Sequence, residues 1–285
     1  MRNKPSRTAY KVAMNLLTLS LKPGMDQVIP QGLIDATERL LIASGAASQR
    51  MVRLAKKQGM IKVYRAFDWI LPGQFEAFGH RKAFCERQVR QGIHSGATQV
   101  LVLGAGYDTL GWRLAPEFPD ITFFEIDHPA TAALKAKGVQ AMGLRDNHHL
   151  LAEDLGQRNL VDVLSSNSHW NRNAPTVFIA EGLVMYLEPS AVKDLFARCA
   201  EICGSSSHFV FSYIPADNSG RLNAGKYTGL MLKLQKLAGE SWLWSIHPDK
   251  LGQFLVETGW AFNPDNTGNL EKHGVEYFCA VERIN

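Results

Sequence analysis

The stretch that decides the fold runs from Gln99 to Asp127 and reads QVLVLGAGYDTLGWRLAPEFPDITFFEID. It opens with an unbroken apolar run, which is typical of a parallel strand buried on both faces. Gly104 and Gly106 follow at once and allow a ligand to lie directly against the backbone. A short helical pattern and a second apolar run lead to the final acid. This order predicts a nucleotide-binding βαβ unit whose terminal carboxylate holds ribose hydroxyls.

The glycine loop favours S-adenosylmethionine over a dinucleotide as its ligand. Its sequence, GAGYDT at 104–109, lacks the third glycine of the dinucleotide fingerprint. Asp108 would also repel a pyrophosphate at the start of the following helix. S-adenosylmethionine has no phosphate and carries a sulfonium and an ammonium group, so an acidic loop suits it. Asp108 could also be the N-cap of that helix, which is compatible with this role. An NAD-linked oxidoreductase is therefore the less favoured alternative.

Acidic residues follow four consecutive predicted strands, and they are Asp108, Asp127, Asp154 and Glu181. Ligands of open α/β sheets bind outside the carboxyl ends of the strands, where these four side chains are expected to meet. A helix cap or a surface loop could explain any one of them. The complete set indicates a binding site.

Three motifs then resemble the leucine carboxyl methyltransferase family: LGAGYDTLGWRL at 103–114, FFEIDHP at 123–129 and IAEGLVMYL at 179–187. That family includes bacterial members that act on polyketide-type carboxylic acids. The resemblance is strong over 81–187 and looser in the flanks. It implies an α/β class I methyltransferase with a Rossmann-like doubly wound sheet, an N-terminal helical cap and a helical insertion after the fifth strand. The alternation of predicted strands and helices agrees with this fold.

The resemblance also implies roles for individual residues. Asp127 matches the acid that binds ribose, and Asp154 with Leu155 matches the pair that reads adenine. Glu181 matches an acid near the methionine part of the cofactor, and Arg81 matches an arginine that pairs with the cofactor carboxylate. The predicted cofactor-binding residues are Arg81, Gly104, Ala105, Gly106, Asp108, Asp127, His128, Asp154, Leu155 and Glu181.

Two positions near the start of this region stay open. Glu86 stands where the family has an aspartate five residues after the arginine, so its role is undecided. Arg81 itself could be an ordinary surface arginine. No catalytic residue is assigned.

The histidines do not predict a metal site. His148 and His149 are adjacent in a predicted strand, so they face opposite ways and cannot bind one metal together. His128 and His247 could reach the site, as could the aromatic residues of GESWLWSIHP at 239–248, although packing is the favoured interpretation of all of them. No metal-ligand spacing and no nucleophile elbow is present, and we expect no metal.

The chain has 285 residues, which favours one large decorated domain. We expect a helical cap over 1–95 and a core over 96–285 with an insertion at about 217–247. Residues 1–98 hold 16 Lys and Arg against 6 Asp and Glu. This basic region could attract an acidic substrate, a nucleic acid or a membrane, or could simply form solvated helix faces. No aromatic-interleaved basic motif indicates nucleic-acid binding.

Cysteine use and hydropathy predict a cytoplasmic protein. The four cysteines form no CxxC pair, as expected of buried free thiols in a reducing compartment. The apolar stretch near the N-terminus is interrupted by polar residues and lacks a cleavage site. No run approaches the 18 apolar residues that a membrane span needs. We therefore expect neither a membrane nor a nucleic acid as partner, while the oligomeric state stays open.

These observations predict an S-adenosylmethionine-dependent O-methyltransferase that forms a methyl ester on a small carboxylic acid. A protein C-terminus remains open as the acceptor. One alternative is methylation of a hydroxyl group in a secondary metabolite. Another is a binding protein that keeps the fold without turnover.

Overall fold

A computed structural model describes residues 4–238, 240–263 and 267–284. Within these residues a single mixed sheet contains eight strands. They are β1 (Gln99–Leu103), β2 (Thr122–Asp127), β3 (His148–Ala152), β4 (Thr176–Ala180), β5 (His208–Tyr213), β6 (Trp260–Ala261), β7 (Leu270–His273) and β8 (Glu276–Arg283).

The strand order β3-β2-β1-β4-β5-β8-β6, with β7 also paired to β8, is that of a doubly wound sheet. Strands β1 to β5 pair in parallel, and β8 is antiparallel to its three neighbours. The chain leaves β1 towards β2 on one side and returns towards β4 on the other. The topological switch point therefore lies between the ends of β1 and β4, where such sheets bind ligands.

Eleven α-helices occur in the described residues. They are α1 (Arg7–Leu19), α2 (Leu33–Ser44), α3 (Gln49–Ala55), α4 (Gly59–Ala66), α5 (Gln74–His94), α6 (Leu110–Leu114), α7 (Pro129–Met142), α8 (Leu160–Ser165), α9 (Pro189–Glu201), α10 (Thr228–Ala238) and α11 (Pro248–Glu257). None of them combines the length and the apolar character needed to cross a bilayer.

Local sequence explains where these helices begin. The side chains of Ser6 and Ser48 accept hydrogen bonds from the first turns of α1 and α3. Pro129, Pro189 and Pro248 stand at the first positions of α7, α9 and α11, where the missing N–H costs nothing.

The sheet is covered by apolar side chains on both faces, as the run in β1 predicts. Leu101 and Leu103 face the layer that includes α8, α9 and α11, whereas Val100 and Val102 face the layer that includes α5 and α6. The helices before β1 pack partly on α7, where side chains of α1, α2 and α3 share one buried cluster with Val139. The cap is thus joined to the sheet through α5 and α7.

Several elements differ from the sequence prediction. Helix α4 ends at Ala66, because 67–70 form successive tight turns. Strands β6 and β7 were not predicted, since a two-residue strand and the sequence LEKH show no hydrophobic periodicity. The expected insertion at 217–247 contains α10 but is otherwise irregular, with bridges from Pro215 and Ala216.

All four cysteines are buried and unpaired. The division into cap, core and insertion stays a prediction.

A buried charged group lies beneath β2. Glu125 forms an ion pair with Lys135 of α7, and His148 Nε2 lies 3.1 Å from its other oxygen. Burial raises the pKa of Glu125, but Lys135 and then His148 outweigh it, so the pKa is held below its ordinary value. Because the folded-state pKa is depressed, this carboxylate stabilises the fold above about pH 4.5. That stabilisation is lost as the pH falls through the folded-state pKa.

We predict that Glu125→Gln lowers the free energy of unfolding at pH 7 by about 3–5 kcal/mol, since it leaves the Lys135 ammonium buried without its counter-charge. Chemical denaturation at pH 7 and at pH 4 measures the effect. The variant should lose less stability on acidification than the wild type does. Glu125→Gln with Lys135→Met is the matched control and should recover most of the loss. Equal acid sensitivity in wild type and variant would contradict the assignment.

Candidate active site

The loop after β1 needs its two glycines for both conformation and space. Gly104 and Gly106 have φ values of 65° and 51°. A Cβ on Gly104 would lie 2.8 Å from Leu183 Cδ1, and one on Gly106 would lie 2.8 Å from Ala9 Cβ. Both distances are too short for carbon atoms. Ala105 between them is buried, and its N–H donates to the Ile126 carbonyl at 3.1 Å. The start of α1 therefore lies directly on this loop.

Asp127 stands beside the glycine loop at the end of β2. Its Oδ2 accepts a hydrogen bond from the Gly106 N–H at 2.5 Å. Burial raises the pKa of Asp127, and the bond from Gly106 partly opposes this. A carboxylate has about four lone-pair directions, so Asp127 can still accept hydrogen bonds from ribose hydroxyls. Glu125 lies one step further into the sheet and is engaged by the buried cations, so it is not available for this role.

The ends of β2 and β3 bring the next predicted residues together. His128 caps α7 by accepting a hydrogen bond at Nδ1 from the Ala130 N–H at 3.3 Å. Its Nε2 lies 3.8 Å from Asp154 Oδ2. The other oxygen of Asp154 accepts from the Gly156 N–H at 3.0 Å, and Leu155 packs partly buried against the core. The predicted ribose and adenine residues thus lie at neighbouring strand ends.

A chain of buried charges crosses the switch point between β1 and β4. Lys82 Nζ lies 3.1 Å from Asp108 Oδ2 and 3.0 Å from Glu181 Oε2. Arg81 Nε lies 2.9 Å from Glu181 Oε1, and Arg81 Nη1 lies 2.7 Å from Glu276 Oε1. All five side chains are less than a tenth exposed, which excludes the surface interpretation of Arg81.

Opposite charges in this chain hold Arg81 and Asp108 in their ionised forms. Burial lowers the pKa of Arg81, but Glu276 and Glu181 more than compensate, so the pKa is raised. Burial raises the pKa of Asp108, but the Lys82 ammonium reverses this and lowers it. With three carboxylates and two cations, the ionised chain carries one net negative charge. A buried excess of negative charge is complementary to a cationic ligand.

Asp108 binds the backbone at the start of α6, although the N-cap residue of this helix is Thr109 and not Asp108. Its Oδ1 accepts hydrogen bonds from the N–H groups of Thr109 and Leu110 at 2.7 and 3.2 Å. The same carboxylate therefore binds the start of α6 through one oxygen and meets Lys82 through the other.

Glu276 is the main residue of the site that the sequence did not identify. It is 1% exposed, and Gln74 Nε2 donates to its Oε2 at 2.8 Å. The Ser212 hydroxyl donates to its Oε1 at 3.3 Å. Because β8 is antiparallel, its first residue lies at the same edge as the carboxyl ends of the parallel strands. The only available signal was a single acid before the apolar run that starts at Tyr277.

Tyr186 is the second residue that the sequence did not identify. It ends the turn after β4 and belongs to the motif IAEGLVMYL. Burial raises the pKa of its phenol, and the Trp242 and Thr8 side chains partly offset this. The charges of Glu276 and Arg81 also act on this phenol. Tyr186 therefore lies within electrostatic range of the charged chain.

The first turn of α1 closes over these groups. The Ser6 N–H donates to Thr131 Oγ1 of α7 at 3.0 Å. The N–H of Thr8 donates to Glu240 Oε1 at 3.2 Å, and the Thr8 hydroxyl bonds to the other oxygen of this carboxylate. Residues 6–9 therefore span the glycine loop from α7 to the insertion, so the helical cap covers the site.

Glu86 and His149, which the sequence analysis also considered, have packing roles in the structure. Glu86 accepts from Arg113 Nη2 at 2.5 Å and also from Arg90, so it joins α5 to α6 outside the charged chain. His149 stacks on His169 with ring centroids 4.3 Å apart. Its neighbour His148 instead contacts the buried Glu125. In the described part of the chain, no group of three or more His, Cys, Asp or Glu side chains could hold a metal.

Of the residues at 239–248 that the sequence analysis considered for the site, His247 and Trp244 have other roles. His247 Nδ1 accepts from the Asp249 N–H at 3.3 Å and so caps α11. Trp244 is buried in the core against Tyr213. Trp242 and Glu240 do reach the site, whereas Gly239 lies outside the described residues.

Comparison with known proteins identifies a family whose sequence model matches this chain. Residues 27–200, more than half of the chain, match the family model described as leucine carboxyl methyltransferase. A protein of Mycolicibacterium gilvum is 30% identical over 191 residues, covering 62% of this chain and 59% of that protein. A protein of Saccharopolyspora erythraea is 28% identical over 200 residues, covering 67% and 65%.

Both relatives carry the provisional name of an S-adenosyl-L-methionine-dependent methyltransferase. A third protein with that name, from Mycolicibacterium paratuberculosis, is 28% identical over 137 residues, covering 48% of this chain and 42% of its own length. The chain thus spans between 42% and 65% of the length of these three relatives.

Solved structures share the fold. A provisionally named methyltransferase of Thermobifida fusca has a TM-score of 0.56 and 17% identity, covering 92% of this chain and 98% of that one. An O-methyltransferase family 2 protein of Planctomyces limnophilus, solved in complex with apigenin, has a TM-score of 0.51 and 10% identity, covering 97% and 94%. The predicted class I Rossmann-like fold is confirmed.

The contact between Gly106 and Ala9 generates a test of the closed cap. We predict that Gly106→Ala displaces the start of α1, because the new methyl group would overlap the Ala9 side chain. Amide hydrogen exchange should rise across 7–19 by about tenfold or more. Gly220→Ala is the control, since φ is +78° there and no heavy atom lies within 4 Å of an added Cβ. If Gly106→Ala exchanges no faster over 7–19 than Gly220→Ala does, the overlap with Ala9 has no effect of its own. The closed cap then does not depend on this contact.

Proposed function

Because the chain belongs to the leucine carboxyl methyltransferase family, we propose that it transfers a methyl group from S-adenosylmethionine to a carboxylate oxygen of a small molecule. The product is a methyl ester. The observation that carries this proposal is the buried chain of charges from Asp108 to Glu276, next to the glycine loop at the switch point of the sheet.

The residues at the site fit this cofactor. S-adenosylmethionine has one carboxylate, one ammonium and one sulfonium, so its net charge of +1 complements the single net negative charge of the buried chain. Asp127 would hold the ribose hydroxyls, and Asp154 with Leu155, at the ends of β2 and β3, would hold the adenine. The glycine loop at 104–106 has the backbone conformation that brings a ligand close to the main chain.

Arg81 and Glu181 exchange partners when the methionine part of the cofactor binds. In the structure they pair with each other, and a second carboxylate, Glu276, keeps Arg81 in place. Arg81 would hold the cofactor carboxylate and Glu181 would hold the ammonium group, so each buried charge would keep a counter-charge throughout. Glu276 continues to hold the guanidinium from its other side.

A carboxylate acceptor is favoured because, in the described part of the chain, neither His128 nor His247 is placed to act as a general base. A carboxylate is ionised at neutral pH, whereas an alcohol must lose a proton during the attack. The two histidines that could have served, His128 and His247, each use Nδ1 to cap a helix. The strand-end acids belong to the cofactor site in this proposal. This observation disfavours the hydroxyl alternative.

The protein aligns the reactants and excludes water from them. When bound, the cofactor supplies a methyl group on a positively charged sulfur. The acceptor oxygen forms the new bond to carbon as the carbon–sulfur bond breaks, its electron pair stays on sulfur and no proton moves.

Opposite charges disappear in this reaction, so a dry site favours it. The residues that keep water out are the first turn of α1 and the Thr8–Glu240 contact to the insertion. The closed cap is therefore part of the proposed mechanism and not only a structural feature.

We predict that Asp127→Ala weakens the binding of S-adenosylhomocysteine by about 2–4 kcal/mol, since charged hydrogen bonds to ribose contribute roughly 1.5–3 kcal/mol each and do not add fully. Isothermal titration calorimetry measures the effect. Asp146→Ala is the control, because Asp146 is an exposed acid before β3, and it should leave affinity unchanged. Unchanged affinity in a folded Asp127→Ala protein, or tight binding of NAD by the wild type, would refute the proposed cofactor site.

The acceptor is tested by the chemistry of the product. With methyl-labelled S-adenosylmethionine and a panel of apolar carboxylic acids and their hydroxyl analogues, we expect labelled ester from the acids. Mild alkali should then release the label as volatile methanol, because esters hydrolyse and methyl ethers do not. Label that resists alkali would reject the carboxylate and favour a hydroxyl acceptor. Binding of the cofactor without turnover on either set would favour a binding protein.

A further inference from the structure

Exposed apolar side chains concentrate on one part of the cap. Eleven large apolar residues are exposed among the described residues, and five of them lie between 51 and 69. They are Met51, Leu54, Val63, Phe67 and Trp69. Phe67 and Trp69 are 61% and 54% exposed, which is unusual for aromatic side chains of this size. Such a concentration marks an interaction surface.

The same segment is strongly basic. Its basic residues are Arg50, Arg53, Lys56, Lys57, Lys62 and Arg65, and Asp68 is the acid among them. All six basic residues are exposed. Lys56 meets Glu38 of α2, and Asp68 accepts a hydrogen bond from the Gly73 N–H. We call 49–70 the basic apolar face.

Helices α3 and α4 are attached to the protein by few residues. In these two helices the buried side chains are Val52, Ala55 and Ile61. Met51 and Leu54 are three residues apart, and Val63 and Phe67 are four residues apart, so each pair shares one side of its helix. Both helices therefore present apolar side chains outwards between cations.

The basic apolar face continues onto the insertion. The rings of Trp69 and Tyr227 meet edge to face with centroids 4.8 Å apart. Lys226 Nζ lies 5.7 Å from the Tyr227 ring, and Leu230, one helical turn further on, is 43% exposed. The surface thus crosses the seam between the cap and the insertion.

Against the expectation from the sequence that no membrane is a partner, we propose that the basic apolar face docks this protein on the surface of an anionic membrane. Lys and Arg near a bilayer are attracted by anionic headgroups, and Trp and Phe lie stably at the boundary between headgroups and acyl chains. A second copy of the chain is a poorer occupant. A two-fold contact through this face would place its cations opposite the same cations of the partner.

Docking in this way also presents the seam to the bilayer. Below the seam, Ile70, Leu71 and Trp242 pack in one apolar cluster with Tyr186, on whose phenol the charges of Glu276 and Arg81 act. This consequence rests on the proposed function: the acceptor would be a carboxylic acid with an apolar tail that partitions into membranes. Docking itself does not depend on turnover.

Sedimentation of the intact chain with lipid vesicles tests the proposal. We expect binding to phosphatidylcholine vesicles that contain phosphatidylglycerol, little binding to pure phosphatidylcholine, and loss of binding as salt is raised. Arg53→Gln with Lys57→Gln and Lys62→Gln should weaken binding about tenfold or more. Phe67→Ser, alone or with Trp69→Ser, should weaken it at low salt as well, because it removes apolar insertion rather than charge.

The matched controls are exposed residues of α11, which is distant in sequence from the basic apolar face. Val256→Ser and Lys250→Gln replace an exposed apolar and an exposed basic residue of α11 and should bind as the wild type does. Unchanged affinity for S-adenosylhomocysteine shows that each variant is folded. The proposal is overturned if wild type ignores anionic vesicles or if the controls weaken binding as much as the face variants. It is also overturned if the face variants only convert a dimer into a monomer in analytical ultracentrifugation.

Discussion

The buried contact of Arg81 with the carboxylates of Glu181 and Glu276 is the interaction on which the rest of the site depends. It joins three elements, since Arg81 lies in α5, Glu181 follows β4 and Glu276 begins β8. Arg81 and Glu276 are 195 residues apart in sequence. A buried pair that loses one partner leaves an uncompensated charge, which costs several kcal/mol. The position of α5 over the sheet edge is therefore strongly determined.

The five buried charged side chains carry an excess of negative charge, which favours a cationic ligand over an anionic one. Holding three carboxylates with two cations away from water is unfavourable, and a cationic ligand relieves that cost when it binds. Lys82 also keeps Asp108 and Glu181 at a fixed separation, so the loops after β1 and β4 hold their shape. The ion pairs that connect the cap to the sheet are thus the same ones that, in the proposed function, match the charge of S-adenosylmethionine.

The N-terminal helices meet two different requirements at once. Their inner side closes the site, since Ala9 lies on the glycine loop and Thr8 bonds to Glu240 of the insertion. Their outer side carries the cations and exposed aromatic residues of the basic apolar face. Trp69 is where these two requirements meet, because its contact with Tyr227 spans the seam between cap and insertion. A movement that opens this seam would change both the access to the site and the outward surface.

The sequence by itself determined the βαβ unit at 99–127, the doubly wound alternation and the four strand-end acids. Each of these follows from local signals: an unbroken apolar run, glycines in a left-handed turn, and acids directly after strands. Only the tertiary structure decided that Glu276, Tyr186 and Thr8 join the site, and that Glu86 and Glu125 do not. The physical reason is that charge pairing depends on distance in space. An antiparallel last strand and a cap folded back over the sheet bring together residues that no local pattern connects.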